Sequence, residues 1–349
     1  MSKAKKIEAF DPNGPGQTDL NIFGLPFTED ESEIVLLPVP WEVTVSYGGG
    51  TINGPDAILE ASLQVDLHDS DVPEAWKSGI YMQEVNEEIR ALSKSSREKA
   101  ETYIESLANG ASSSEYLQTI EEINAACEKM IDFVKNESSK ILDSGKICGL
   151  IGGDHSTPLG YIQALAERNS SFGILQIDAH MDLRRAYEGF TYSHASIMYN
   201  ALQIPQVSHL VQVGIRDYCL EEVEVMNVQG HRVKTFFDHA LKTAQYEGLS
   251  WSKQVAEIIN SLPEKVYLSF DIDGLDPVLC PNTGTPVPGG LSYPEAVYLI
   301  RKVVDSGRKI IGFDLNEVSP GNTDWDANVA ARLLLKQCVF AGKSVGIFN

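Results

Sequence analysis

Residues 173–182 read Gly173-Ile174-Leu175-Gln176-Ile177-Asp178-Ala179-His180-Met181-Asp182. A short apolar run ends abruptly in carboxylates and an imidazole. The near-continuous apolarity is what a strand covered on both faces requires, and polar groups at its end face a ligand or solvent, not a core. Outward from this stretch the pattern repeats. Further candidate strands are 34–37, 146–151, 210–213, 233–237, 266–270 and 310–313, and helical patterns fall at 114–143, 158–167, 251–261, 293–306 and 328–337. Alternation of strand and helix implies βαβ units, a parallel sheet and an α/β fold.

Ligands in open α/β sheets bind beyond the carboxyl ends of the strands. Four of the predicted strands end in polar groups. One runs into Gly152-Gly153-Asp154-His155-Ser156, one into Asp178-Ala179-His180-Met181-Asp182, one into Asp271-Ile272-Asp273-Gly274, and one into Asp314-Leu315-Asn316-Glu317. In extended chain the i, i+2, i+4 spacing of Asp178, His180 and Asp182, and the i, i+2 spacing of Asp271 and Asp273, turns each set to one side. Carboxylates gathered with imidazoles repel one another unless cations neutralise them. Each motif alone has an ordinary structural explanation, a hydrogen-bonded loop or a helix cap. Their convergence is the signal. Six ligands of mixed oxygen and nitrogen type, without thiolates, suit a pair of divalent ions such as Mn²⁺, and two such ions about 3.5–4 Å apart can activate one water at neutral pH.

Composition narrows the alternatives. The chain has 349 residues, 43% hydrophobic and 22% charged, ordinary values for a globular protein. Forty-nine acidic against 28 basic residues leave a formal net charge of −21, which argues against nucleic acid as a partner and suits a small cationic substrate. Five scattered cysteines lack zinc-type spacing and read as thiols in a reducing compartment. The N-terminus has no apolar signal region, and no apolar run is long enough to span a bilayer, so the expectation is a cytoplasmic protein without membrane contact. Residues 1–32, rich in Gly, Pro, Asn and Asp, read as an extended surface arm, with 33–349 as one catalytic domain. An EF-hand starting at Asp271 fails, because its fifth position is Leu275 and its twelfth Asn282. A phosphatase built on Asp271-Ile272-Asp273-Gly274 would leave His155, Asp178, His180 and Asp182 idle. A calcineurin-like phosphoesterase shares the Asp178–His180 spacing and nothing more. A metal-dependent phosphatase and a non-catalytic binding protein stay open as alternatives to a binuclear hydrolase.

The three segments 152–156 (GGDHS), 178–182 (DAHMD) and 269–277 (SFDIDGLDP) resemble the signatures of the ureohydrolase family of arginase, agmatinase and formimidoylglutamase. The resemblance runs from Ser46-Tyr47-Gly48-Gly49-Gly50 to Glu317-Val318. It implies an arginase-like three-layer α/β/α fold with a central, mainly parallel sheet of about eight strands, assembled as trimers or hexamers. It implies that His155, Asp178, Asp182 and Asp271 hold one ion and Asp178, His180, Asp271 and Asp273 the other, with Mn²⁺ as the expected metal and Ni²⁺ as its substitute. The related deacetylases use one zinc and lack counterparts of His155 and Asp182. The implied reaction splits a guanidino compound into urea and an amine, with Glu317 pairing the guanidinium, His194 shuttling a proton to the leaving amine, and Asp182 assisting from the metal shell. The substrate's tail is less determined. Arg184 stands where arginases carry Asn, and Cys219 where they carry a second acid, so agmatine is expected before arginine. Arg184 also fits a guanidino acid or formimidoylglutamate, and free guanidine is a further alternative. With agmatine as substrate, Arg184 is expected to turn away and pair with Glu188.

Overall fold

The computed structural model describes residues 1–348. Eight strands form one sheet: β1 (Ile34–Pro38), β2 (Ile80–Met82), β3 (Ile147–Ile151), β4 (Phe172–Ile177), β5 (Val207–Ile215), β6 (Val233–Phe237), β7 (Lys265–Phe270) and β8 (Lys309–Leu315). Their spatial order is β2-β1-β3-β8-β7-β4-β5-β6, and every pairing is parallel.

The helices are α1 (Lys3–Ala9), α2 (Gly54–Ser62), α3 (Glu87–Ala108), α4 (Leu117–Asp143), α5 (Leu159–Ala166), α6 (Ile197–Leu202), α7 (Leu220–Gln229), α8 (Asp238–Tyr246), α9 (Trp251–Asn260), α10 (Tyr293–Asp305) and α11 (Trp325–Val345). The strand period of two divides the core between the faces. Leu175, Ile177, Val211, Val213, Leu268 and Phe270 pack with α2 and α8–α11. Ile174, Leu210 and Tyr267 pack with α3–α7 on the other face. The result is the three-layer α/β/α arrangement expected of an arginase-like chain. No helix among the described residues is long and apolar enough to cross a membrane.

Three differences from the sequence expectations have physical causes. Residues 1–32 are not simply an extended surface arm: they contain α1 and bury Ile22, Phe23, Leu25 and Phe27. The Asn21 side chain accepts from the Met82 N–H at 2.6 Å and donates to the Met82 carbonyl at 3.0 Å, so this segment is pinned along edge strand β2. The polar stretch 94–114, whose composition predicts a surface excursion around a helix, is largely the long helix α3 itself, whose buried face includes Ser93, Ser96 and Ala100, too small and polar to register as apolar periodicity. Strand β2 was not expected. It has three residues and begins after Gly79, whose φ of 79° breaks the chain direction.

The sheet order matters most for function. Strands β3, β8, β7 and β4 are contiguous at its centre. His155, Glu317, Asp271 and Asp178 follow these four strands in turn. Side chains far apart in sequence therefore leave adjacent strand ends, the position where α/β sheets bind ligands.

Candidate functional site

Two groups of ligand-type atoms share Asp178. His155, Asp178 and Asp271 form one, and Asp178, His180 and Asp273 the other, with the atoms of each group within 4.8 Å of one another. His155 Nδ1 lies 3.0 Å from Asp178 Oδ2, 3.0 Å from Asp182 Oδ2 and 3.4 Å from Asp271 Oδ2. His180 Nδ1 lies 3.0 Å from Asp273 Oδ2 and 3.6 Å from Asp178 Oδ1. All six residues predicted as ligands are thus gathered in one place.

His155 tests whether a cation fits. Its Nε2 meets Ser269 Oγ at 2.9 Å, and that hydroxyl meets Asp314 Oδ1 at 3.1 Å. With the carboxylate as the final acceptor, Ser269 donates to Asp314 and takes the proton of His155 Nε2–H. Nδ1 then faces the three carboxylates, buried and without a hydrogen-bond partner. An imidazole nitrogen facing three carboxylate oxygens needs positive charge between them, a proton in the ion-free protein or a divalent ion bound to the lone pair. The donor set, imidazole nitrogen with carboxylate oxygen and no thiolate, matches a hard or borderline divalent ion.

Local backbone geometry builds the cluster. A Cβ on Gly153 would come within 1.8 Å of the Trp41 carbonyl, and one on Gly274 within 2.6 Å of the Asp178 backbone nitrogen, so only glycine lets these loops close together. Two site carboxylates, Asp182 (φ 54°) and Glu317 (φ 62°), sit in the left-handed region, a conformation that costs a non-glycine residue about 1–3 kcal/mol. Asp182 is held there because its carbonyl accepts from the Met198 and Tyr199 N–H groups, both at 3.1 Å, at the start of α6. Glu317 Oε1 accepts from the His155 N–H at 2.8 Å.

Protonation follows from the crowding. Burial alone would raise Asp178, but the two imidazoles outweigh it and hold its pKa below the usual range. Burial, then Asp178, pushes Asp182 up to about 7. Burial, then Asp273 and Asp178, pushes Asp271 well up. Burial, then Asp154, does the same to Glu317. Burial opposes charge on His155 and His180, yet the surrounding carboxylates raise both well above the usual imidazole value. Without cations, protons hold this cluster together.

The cluster floors a cleft of ≈ 350 Å³ that also exposes Arg184, Tyr187, His194, Asp217, Cys219, Glu222 and Glu317. His194 Nδ1 lies 3.4 Å from Thr44 Oγ1 and 3.3 Å from Ser193 Oγ, leaving Nε2 for the cleft. Desolvation, reinforced by the neighbouring imidazoles, pulls its pKa down to about 3. The ring therefore meets a substrate neutral, unlike the half-protonated imidazole its ordinary value implies.

Arg184 departs from expectation. It borders the cleft with its guanidinium carbon 4.5 Å from the Tyr187 ring centroid, and no carboxylate pairs with it among the described residues. The expected i, i+4 partnership with Glu188 needs a helix, and residues 181–186 are irregular. Glu188 instead takes a left-handed φ of 54°, with its carbonyl accepting from Tyr103 OH at 2.9 Å. Tyr187 and Glu222 were not anticipated. The sequence hint for Glu222 is its place three residues after Cys219, where its carboxylate accepts from the Cys219 N–H at 2.9 Å and caps α7.

Comparison with known proteins agrees with this geometry. The arginase family profile matches residues 32–339. An N(1)-aminopropylagmatine ureohydrolase of Thermus thermophilus is 31% identical over 317 residues, covering 91% of this chain and 93% of its own. A guanidinobutyrase of Pseudomonas aeruginosa is 33% identical over 227 residues, covering 61% of this chain and 66% of its own. The agmatine ureohydrolase of Thermoplasma volcanium superposes with a TM-score of 0.71 at 23% identity, covering 99% of this chain and 100% of that one.

Proposed function

This chain belongs to the arginase family, and from that premise we propose that it hydrolyses a guanidino amine of the agmatine class, releasing urea and a di- or polyamine. The observation that carries the reading is an acid-rich cleft: Glu317, Asp217 and Glu222 line it together with the carboxylates of the ligand cluster. A substrate carrying a guanidinium and an ammonium matches that acidic lining. The names of the relatives, aminopropylagmatine ureohydrolase and agmatinase, support the same class.

His155, Asp178, Asp182 and Asp271 would hold one divalent ion and Asp178, His180, Asp271 and Asp273 a second, with Mn²⁺ or Ni²⁺ as candidates. The pair would supply a water made nucleophilic at neutral pH and positive charge facing the tetrahedral centre. The protein's own groups do the rest. Glu317 Oε1 is held by the His155 N–H, and its carboxylate pairs the guanidinium and aims the central carbon at the ligand cluster. Neutral His194 would accept at Nε2 the proton that the attacking water releases as it adds to the guanidino carbon, and pass it to the departing amine as the C–N bond breaks, without which the nitrogen leaves as a poor anion. Thr44 and Ser193 hold Nδ1 and with it the ring plane.

A second reading has one observation in its favour. Arg184 borders the cleft, and a guanidinium there pairs with a carboxylate, as a guanidino acid would require. A panel of agmatine, aminopropylagmatine, 4-guanidinobutyrate, arginine, formimidoylglutamate and guanidine, with urea release as readout (formamide release for formimidoylglutamate), tests both. Higher kcat/KM for the amines supports the proposal. Higher kcat/KM for 4-guanidinobutyrate or formimidoylglutamate overturns it in favour of the second reading.

A further inference from the structure

Three polar side chains cross the interior of the sheet on adjacent strands. Gln176 on β4 and Gln212 on β5 are fully buried, and Thr235 on edge strand β6 is half-buried. The strand register places Gln176 beside Gln212 and Gln212 beside Thr235. Fully buried amides inside parallel strands are costly unless every group is paired. Here they are. Thr235 Oγ1 meets Gln212 Oε1 at 2.7 Å, Gln212 Nε2 meets Gln176 Oε1 at 2.7 Å, and Gln176 Nε2 meets Asp178 Oδ2 at 2.7 Å.

Two backbone carbonyls set the direction of this chain. Gln212 Nε2 also donates to the Met181 carbonyl at 2.7 Å, and Gln176 Nε2 to the His180 carbonyl at 3.2 Å. A carbonyl only accepts, so each amide nitrogen must point toward residues 178–181 and each amide oxygen toward the sheet edge. The hydroxyl of Thr235 then donates, and every donor in the ladder points at the Asp178 carboxylate. Asp178 divides its oxygens between the two ligand groups: Oδ2 faces His155 and Oδ1 faces His180. The Gln176 donor on Oδ2, together with the His180 N–H on Oδ1 at 2.6 Å, sets the plane of the carboxylate that both groups share. The same amides tie down the loop that carries His180 and Asp182.

We infer that the Thr235–Gln212–Gln176 ladder is a positioning device for the metal centre, holding Asp178 in the orientation that lets it serve both ions. Its residues touch neither substrate nor ion and act through Asp178 and the 178–182 loop. The inference rests on the metal-centre reading of Asp178. It goes beyond that reading by assigning work to residues that the reaction itself does not use.

The test is Mn²⁺ binding by calorimetry on the apo chain and its variants Gln176→Leu, Gln212→Leu and Thr235→Val, with EPR of the loaded proteins for the spin-coupled pair. Hydrogen-bond partners of metal ligands contribute about 10–100-fold to affinity. Gln176→Leu is expected to weaken Mn²⁺ binding within that range and to lose the coupled-pair signal. Gln212→Leu should do less and Thr235→Val less again, because each leaves the donors nearer Asp178 in place. A ladder that only stabilises the sheet would lower apo melting temperatures and leave Mn²⁺ affinity and the EPR signal untouched, and that result overturns the inference. If the glutamine variants do not fold, near-isosteric Thr235→Val decides alone: a few-fold weaker affinity at an unchanged apo melting temperature supports the ladder, and wild-type affinity overturns it. A wild-type chain that takes up neither Mn²⁺ nor Ni²⁺ removes the metal-centre reading and the ladder together, whereas wild-type uptake with unaffected variants removes the ladder alone.

Discussion

The backbone N–H of His155 donates to Glu317 Oε1 at 2.8 Å, across 162 positions of sequence. One strand end thus carries His155, proposed as an ion ligand, and its neighbour in the sheet supplies a carboxylate oriented by that same residue. Glu317→Gln keeps an oxygen for the His155 N–H and removes only the charge. Its kcat/KM should fall about 10–100-fold, the equivalent of a charged hydrogen bond of about 1.5–3 kcal/mol. Metal content should match wild type. A loss of ions in this variant, measured by elemental analysis, would assign Glu317 to the metal shell instead.

Asp271→Ala tests the shared centre. Asp271 Oδ2 lies 3.4 Å from His155 Nδ1, and its Oδ1 accepts from the N–H of Asp273, whose carboxylate reaches His180 at 3.0 Å. Removing the carboxylate should cost at least one ion per chain and nearly all turnover. Full occupancy by two ions after reconstitution with excess Mn²⁺ would contradict a bridging role.

Metal uptake should tighten as pH rises. In the ion-free protein Asp182 is pushed up to about 7 by burial and Asp178, and the surrounding carboxylates keep protons on His155 and His180. Those protons must leave before the atoms bind a divalent ion, so binding releases protons and is weaker on the acid side. Titrations with Mn²⁺ at pH 6 and pH 8 in buffers of different ionisation enthalpy measure both effects. Equal affinity at the two pH values, with no proton release, would refute the linkage.

Much of the site was legible because metal chemistry demands particular side chains at strand ends, and strand ends are visible as the point where apolarity stops. Asp178, His180 and Asp182 could be read that way before any contact was known. The sheet order was not legible, and with it went everything that depends on neighbours. Gln176 looked like one polar residue within an apolar strand, because its partner Gln212 lies on a strand whose adjacency only the fold reveals. Residues 1–32 misled for a related reason. Their turn-forming composition describes the local chain, whereas the burial of Phe23 and Leu25 is decided by what the sheet leaves uncovered. Arg184 was placed by assuming a helical turn that the loop does not make.

His194→Ala should lower kcat by about 10²–10⁴-fold, the usual contribution of a general acid–base group, and leave ion content intact. The low pKa of the ring carries a second expectation. Because His194 is already neutral near pH 6, the acid limb of the wild-type pH–rate profile should not report its titration. Replacing neighbouring Thr44 with Val, which removes the hydroxyl near Nδ1, should lower kcat more than it raises KM. An unchanged kcat in His194→Ala would reduce the residue to a wall of the cleft.

Arg184 decides between amine and acid substrates. Its guanidinium rests against Tyr187 at the border of the cleft, with no paired carboxylate among the described residues to cancel its charge. A substrate with an ammonium tail is repelled by that charge, and one with a carboxylate tail is attracted to it. Under the amine reading, Arg184→Ala should leave kcat/KM for agmatine unchanged or raise it. Any gain should shrink as salt is added, because exposed charges are screened within about 8–10 Å at 0.1–0.15 M ionic strength. Under the acid reading the same variant loses a bidentate pair worth about 1.5–3 kcal/mol, so kcat/KM for 4-guanidinobutyrate falls about 10–100-fold. Tyr187→Leu separates charge from position: it frees the guanidinium without removing it, so amine turnover should fall if Tyr187 is what holds the like charge aside. We expect Arg184→Ala to favour amines and Tyr187→Leu to penalise them. A selective loss of acid turnover in Arg184→Ala, from a wild type that prefers acids, would overturn the amine assignment.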